Sequence, residues 1–238
     1  MLPSYSICRK HIKEYSKLPP VPKGKVGFRV FWNYKQELEN KGDNILDEDN
    51  LQDTASNLRK FLIFWKMSRT GVAEVNKIMQ ILRNIKPYYD QVRDVKLGKG
   101  KIRGYGEQLE AIYEKLGGIT DNVNYTGSES SIVGKSKTLL AIWGQTPGFD
   151  RLTRKRFSKW THSPAPLDLP HLRASEIWYK PIQFCDMIEE LDFWVLRWPE
   201  SNNGRVFADS FSDLCPGLPV GRIIDMIYNW KFPDPRVD

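Results

Sequence analysis

The sequence predicts a mainly α, multi-helix globular protein. Apolar residues return at spacings of three and four in several stretches, and proline- and glycine-rich breaks separate them. Apolar residues make up 40% of the 238 and charged residues 27%, proportions that allow a packed core and exclude wholesale disorder.

Residues 1 to 27 carry Pro3, Pro19, Pro20, Pro22, Gly24 and Gly27, and they read as an irregular lead-in to a single helical domain over 28–238. That domain has room for two lobes about a cleft near 130–160. Phe28 to Tyr34 suits either a helix start or a small β-element near residues 26 to 34. The acidic run Asp43 to Asp53 reads as a loop and a helix start. From Leu51 to Met67, Leu58, Phe61, Leu62 and Trp65 mark one buried helical face. A second helix is expected from Val72 to Ile85, through Val75, Ile78, Met79 and Leu82, with Pro87 interrupting it.

Lys96 to Gly106 (KLGKGKIRGYG) is a basic, glycine-rich loop. Glu107 to Leu116 returns to helical spacing, and Gly117 and Gly118 stop it. Polar residues 120–131 lead into a buried helix over Ile132 to Trp143, a turn over Gly144 to Gly148, and a helix over Phe149 to Trp160. A proline-rich loop (THSPAPLDLPH) follows. Ser175 to Trp198 reads as a long helix that Pro181 can divide, and Pro219 to Trp230 as the last.

Lys and Arg exceed Asp and Glu by 36 to 29, giving a formal net charge of +7 and a pI near 9.2, a balance that favours a polyanionic partner. Cys8, Cys185 and Cys215 are far apart and in no CxxC spacing, so neither a disulfide framework nor a zinc site is expected. No HxH or HExxH pattern accompanies the three histidines, so no metal and no other cofactor is expected. The first residues lack an apolar signal core, and no apolar run approaches the roughly 18 residues of a membrane span. The expectation is a cytoplasmic protein with no membrane partner.

Chemistry concentrates between Ser130 and Trp160. Gly134, Lys135 and Ser136 have the GK[ST] ending of a phosphate loop, but the position where that loop needs its first glycine is Glu129, whose carboxylate would oppose phosphates. The nucleotide reading is therefore set aside. Asp150 is followed by RLTRKRFSKW, in which Arg151, Arg154, Lys155, Arg156 and Lys159 stand with no acidic residue. Such a run suits a phosphate backbone, with Phe157 and Trp160 available for packing or base contact. A solvated helix face is the plain alternative. A carboxylate beside an anion site weakens DNA binding and so asks for a function. Cleaving an N-glycosidic bond is one, because the sugar becomes cationic and a carboxylate can stabilise it while orienting water. The base must first leave the duplex for an aromatic-lined pocket.

Gly134, Lys137 and Thr138, followed after a helix by Asp150 and Arg151, resemble the signature of the helix-hairpin-helix DNA glycosylases over about twenty-five residues. Ile132-Val133-Gly134 stands where that family has its apolar-glycine turn, with one extra residue before Lys137-Thr138, and no iron-sulfur cysteine cluster accompanies it. The resemblance implies a hairpin binding DNA backbone through Gly134, Lys135, Ser136 and Thr138, with Asp150 as the catalytic carboxylate. Lys137 matches the lysine that attacks the sugar in lyase-competent members, although a phosphate contact or solvated residue is the commoner role for such a lysine. The implied activity is excision of a modified or damaged base from DNA, double-stranded by expectation, leaving an abasic site. LRKFLIFW (Leu58 to Trp65) and KTLLAIWGQTPGFD also resemble segments of bacterial proteins of unassigned role, and prokaryotic glycosylases include anti-phage enzymes that excise glucosylated hydroxymethylcytosine. A non-catalytic nucleic-acid-binding protein of defence or regulation is the alternative.

Further candidates lie elsewhere. Lys96, Lys99, Lys101 and Arg103 can follow a phosphate backbone, a flexible surface loop being the alternative. Trp178, Tyr179 and Trp198 are base-pocket candidates, while Trp65, Trp143 and Trp194 read as core. His162 and His171 flank the proline-rich loop, and either could assist a proton transfer. Asp192 interrupts the apolar run Leu191 to Leu196 and needs partners if buried, which makes it a second candidate carboxylate.

Overall fold

A computed structural model of the protein describes residues 2–17, 24–65, 71–120, 128–149, 153 and 184–228. Among them are eight α-helices and no strand. These are α1 (Tyr5–Lys17), α2 (Gly24–Asn40), α3 (Glu48–Phe64), α4 (Val75–Val92), α5 (Gly106–Lys115), α6 (Ser128–Ile142), α7 (Phe184–Arg197) and α8 (Val220–Ile227). Short 3-10 turns occupy Ile102–Tyr105, Trp198–Ser201 and Asp209–Phe211.

The mainly helical class is as expected, and the corrections concern where helices start and stop. Within the N-terminal lead-in, residues 5–17 are helical and not irregular: Cys8, His11, Ile12 and Tyr15 recur at spacings of three and four and are buried on one face of α1, which packs on α8. Pro3 stands before this helix and Pro19, Pro20 and Pro22 after it. No β-element forms near residues 26 to 34, where Phe28, Phe31 and Trp32 are buried on one side of α2. Phe28 and Trp32 stack at 5.8 Å, and Phe31 and Phe28 both meet Phe61 of α3.

Helix α3 begins where the acidic run expects it, with Glu48 and Asp49 in the first turn, where the helix dipole favours negative charge. Its buried face is Leu51, Thr54, Ala55, Leu58, Phe61 and Leu62. Pro87 does not end α4, which continues to Val92. Proline's missing N–H and ring clash disfavour this, but packing of the final turns outweighs them: Tyr89 and Val92 are buried and the Tyr89 hydroxyl donates to the Ile142 carbonyl at 2.8 Å.

Helix α6 lies at the centre, touching α2, α3 and α5. Its last turns are apolar on all sides, and Leu139, Leu140, Ala141 and Ile142 are all buried, as suits a helix surrounded by others. Gly134 lies inside this helix rather than at a turn. A Cβ there would fall 1.7 Å from the Thr120 Oγ1, so the glycine allows a close crossing of the chain at Thr120. The helix-hairpin-helix element expected around Gly134 is therefore replaced by a continuous helix. The helix expected over 175–198 is described from Phe184 onward, and the last helix runs from Val220 to Ile227 with every residue buried.

Candidate functional site

Three of the residues expected to bind DNA on α6 face inward instead. Thr138 is buried and donates to the Gly134 carbonyl at 3.0 Å. Ser136 is buried and its Oγ accepts the Phe149 N–H at 3.0 Å. Gly134 meets Thr120, as above. Lys135 is half-buried, its ammonium 4.7 Å from the centre of the Tyr113 ring.

Lys137, expected as nucleophile or phosphate contact, is 2% exposed. Its Nζ stands 3.7 Å from Asp225 Oδ1 and 3.4 Å from the centre of the Trp65 ring. Arg222, one turn before Asp225 on α8, pairs with the second oxygen of that carboxylate and donates to the Tyr15 hydroxyl at 2.6 Å. Its guanidinium also faces the rings of Phe28 and Trp65 at 5.2 and 5.1 Å. Burial pulls the Arg222 pKa down, but Tyr15 and Asp225 more than offset this and hold it above the ordinary arginine value. A buried ionic cluster thus joins α1, the end of α3, α6 and α8.

The cluster fixes the chain that leads to Asp150. Gly148 lies directly against Lys137, so that a Cβ there would come within 2.4 Å of Nζ. Phe149 is buried and held by Ser136. At the other end of the turn, the Gly144 carbonyl accepts the Gly221 N–H at 2.9 Å. Residues 144–149 are therefore secured to α6 on one side and α8 on the other. Asp150 itself, Arg151, Arg154, Lys155, Arg156, Lys159, His162, His171, Trp178 and Tyr179 lie outside the described residues.

Trp198 belongs to the core, not to a base pocket. It is buried, donates its indole N–H to the Pro3 carbonyl at 2.8 Å and packs against Tyr5, Phe207 and Phe211. Burial also pushes the Cys185 thiol up to about 12 and the Cys215 thiol to about 11, with Cys8 raised as well. None of the three is therefore a ready nucleophile near neutral pH.

The basic loop lies at the surface. Lys96, Lys99, Lys101 and Arg103 are exposed, and Lys96 and Lys99 stand on the edge of an open cleft of about 880 Å³. Trp32, Trp143, Val195, Leu196, Val206 and Phe207 supply its apolar walls, and Asp43 and Asp209 lie among its acidic lining. Gln145 connects the cleft to the secured turn: it lines the cavity, and its Oε1 accepts the Leu97 N–H at 3.1 Å. The volume suits a nucleotide-sized group.

Asp192 lies beneath this loop, 5% exposed, its Oδ1 accepting the Gly98 N–H at 2.6 Å. Burial pushes its carboxyl above the usual aspartate range, while hydrogen bonds from the backbone of Gly98, Lys99, Ile102 and Gly100 oppose that shift. The partners that a buried aspartate required are thus the loop's own amides.

No family model, curated protein or solved structure matches the chain. The functional reading rests on these residues.

Sequence reasoning missed Arg222 and Asp225. The signal was present in V-G-R-I-I-D-M-I, where two opposite charges three residues apart interrupt an otherwise apolar helix. Among the described residues no group of His, Cys, Asp and Glu is arranged to hold a metal, and no helix is long and apolar enough to cross a membrane.

Proposed function

We propose that the protein is a DNA N-glycosylase that removes a modified or damaged base and leaves an abasic site, with Asp150 as its carboxylate. The observation that carries this reading is the fixation of residues 144–149. Gly148 packs on a buried lysine and the Phe149 amide is tied to Ser136, so the backbone entering Asp150 is held before substrate arrives. Preorganisation of this kind is what electrostatic stabilisation of a developing cation needs.

In the proposed reaction, water adds its oxygen to C1′ of the deoxyribose as the N-glycosidic bond breaks. The bonding electrons leave with the base, which takes up a proton, and the attacking water gives its own proton to the carboxylate or to solvent. The exposed lysines of the 96–103 loop and the cations that follow Asp150 in sequence would hold the backbone. The burial of Lys137 between Trp65, Asp225 and Gly148 favours hydrolysis over imine formation on that lysine.

Incubation with duplex and single-stranded oligonucleotides carrying different modified bases, glucosylated hydroxymethylcytosine among them, tests this. Strand breaks should appear after alkali and not before, and borohydride should trap no covalent adduct. The exposed loop also favours a second reading, a protein that binds nucleic acid without cutting it. Tight binding with no alkali-labile sites on any substrate would select that reading.

A further inference from the structure

We infer that Asp192 is the positioning residue of the 96–103 polyanion-binding loop, filling a concave set of backbone amides from inside so that the lysines are presented outward. The inference rests on the nucleic-acid reading above for its ligand, and on the geometry of the loop for the rest.

The loop has the form of an anion nest. Gly98 and Gly100 both take positive φ, +77° and +65°, and alternation of this kind turns successive N–H groups toward one point. In many proteins that point holds a phosphate. Here it holds a carboxylate of the same chain: Gly98 donates to Asp192 at 2.6 Å, and the backbone amides of Lys99, Gly100 and Ile102 lie close enough to oppose the rise in its pKa. Close approach to α7 fixes the loop further, because a Cβ on Gly98 would fall 2.7 Å from the Val195 side chain.

Two consequences follow. The Gly98 amide is not available to an external phosphate while Asp192 holds it, so binding falls to the loop's side chains. Lys96, Lys99 and Lys101 are exposed and make no ion pair among the described residues, so no carboxylate there competes with a polyanion for them. An aspartate in the middle of the apolar run Leu191 to Leu196 is costly to bury, and ordering a cationic loop gives it a use beyond packing.

The experiment uses the full chain, with Asp192→Asn and Asp192→Ala as the direct variants. Gly100→Ala disturbs the same loop from its exposed side, where the new Cβ would be 3.5 Å from Leu196 Cδ2, and so leaves the core untouched. Lys99→Ala is the control that removes a cation without altering the loop. Hydrogen exchange of the amides from Gly98 to Ile102 reads the nest, and affinity for duplex DNA and for inorganic polyphosphate, each across a salt series, reads the function. The Asp192 variants and Gly100→Ala should speed exchange in those amides and weaken both probes by about tenfold, with the salt slope falling by about 1 to 2. Lys99→Ala should weaken binding with exchange unchanged. Unchanged exchange in the Asp192 variants overturns the inference, and so does faster exchange with undiminished polyphosphate affinity. Wild-type protein that binds neither probe overturns it as well. Binding of polyphosphate but not DNA, with the Asp192 effect intact, supports the loop assignment and removes the nucleic-acid reading instead.

Discussion

Replacing Lys137 by methionine keeps most of the side chain's volume and removes its charge from the buried cluster. The ammonium is 3.7 Å from Asp225 Oδ1, and at an effective dielectric constant of about 20 that separation corresponds to an attraction of about 4.5 kcal/mol. Its position 3.4 Å from the centre of the Trp65 ring adds about 2 kcal/mol for a desolvated cation on an aromatic face. Against these stands the cost of burying the ammonium, several kcal/mol, which methionine avoids. Asp225 also keeps Arg222 as a partner, so it is not left as an isolated buried charge. The balance is a net destabilisation of about 2–3 kcal/mol, below the about 3–5 kcal/mol typical when a buried charge loses its sole partner. Urea unfolding of the wild type, Lys137→Met, Asp225→Asn and the double variant measures both the loss and the coupling. A coupling energy of about 1 kcal/mol or more is expected. Lys137→Met as stable as wild type, with negligible coupling to Asp225, would refute the claim that the ion pair secures this part of the fold.

Other substitutions probe the same structure. Gly134→Ala should destabilise by about 1–3 kcal/mol through its clash with Thr120, and Thr120→Ala should restore part of the loss in thermal melts. A DNA-binding defect with unchanged stability would instead return Gly134 to the role of a backbone-binding turn. Glu190→Gln should stabilise at neutral pH. Burial, only partly offset by the Trp194 N–H at 2.6 Å, raises the Glu190 pKa above its unfolded value. The stabilising contribution of this proton is therefore complete below the unfolded pKa and is lost as pH rises through the folded one. The advantage of the glutamine variant should grow as pH rises above the ordinary glutamate value of about 4.3 and level off once the folded-state carboxyl has ionised, and a pH-independent gap would contradict the shift.

Much of the helical framework was legible in the sequence because it depends on local periodicity. The faces of α3 and α5 and the buried end of α6 follow directly from apolar spacing. The errors came where a local signal met a tertiary one. Prolines flanking α1 resembled the marks of an irregular segment, although Cys8, Ile12 and Tyr15 carried helical spacing between them. Pro87 has the local character of a breaker, but the buried Tyr89 and Val92 beyond it keep α4 helical. Gly134 has the composition of a turn, and only the proximity of Thr120 explains it within a helix.

The candidate site was legible in part. Exposure of the 96–103 loop agrees with its charge and glycine content, and the need of Asp192 for partners follows from its apolar neighbours. The inward direction of Lys137 was not legible, because its partners Asp225 and Trp65 are distant in sequence and only folding brings them to α6.

The most direct test compares wild-type protein with Asp150→Asn on the same modified DNA, counting alkali-labile sites under single-turnover conditions, alongside binding of both proteins to that DNA. The account predicts that wild type generates abasic sites and that the variant loses at least about 100-fold in rate while retaining DNA affinity. Equal numbers of abasic sites from both proteins would remove Asp150 from the mechanism, and with it the proposed use of the secured turn that leads to it.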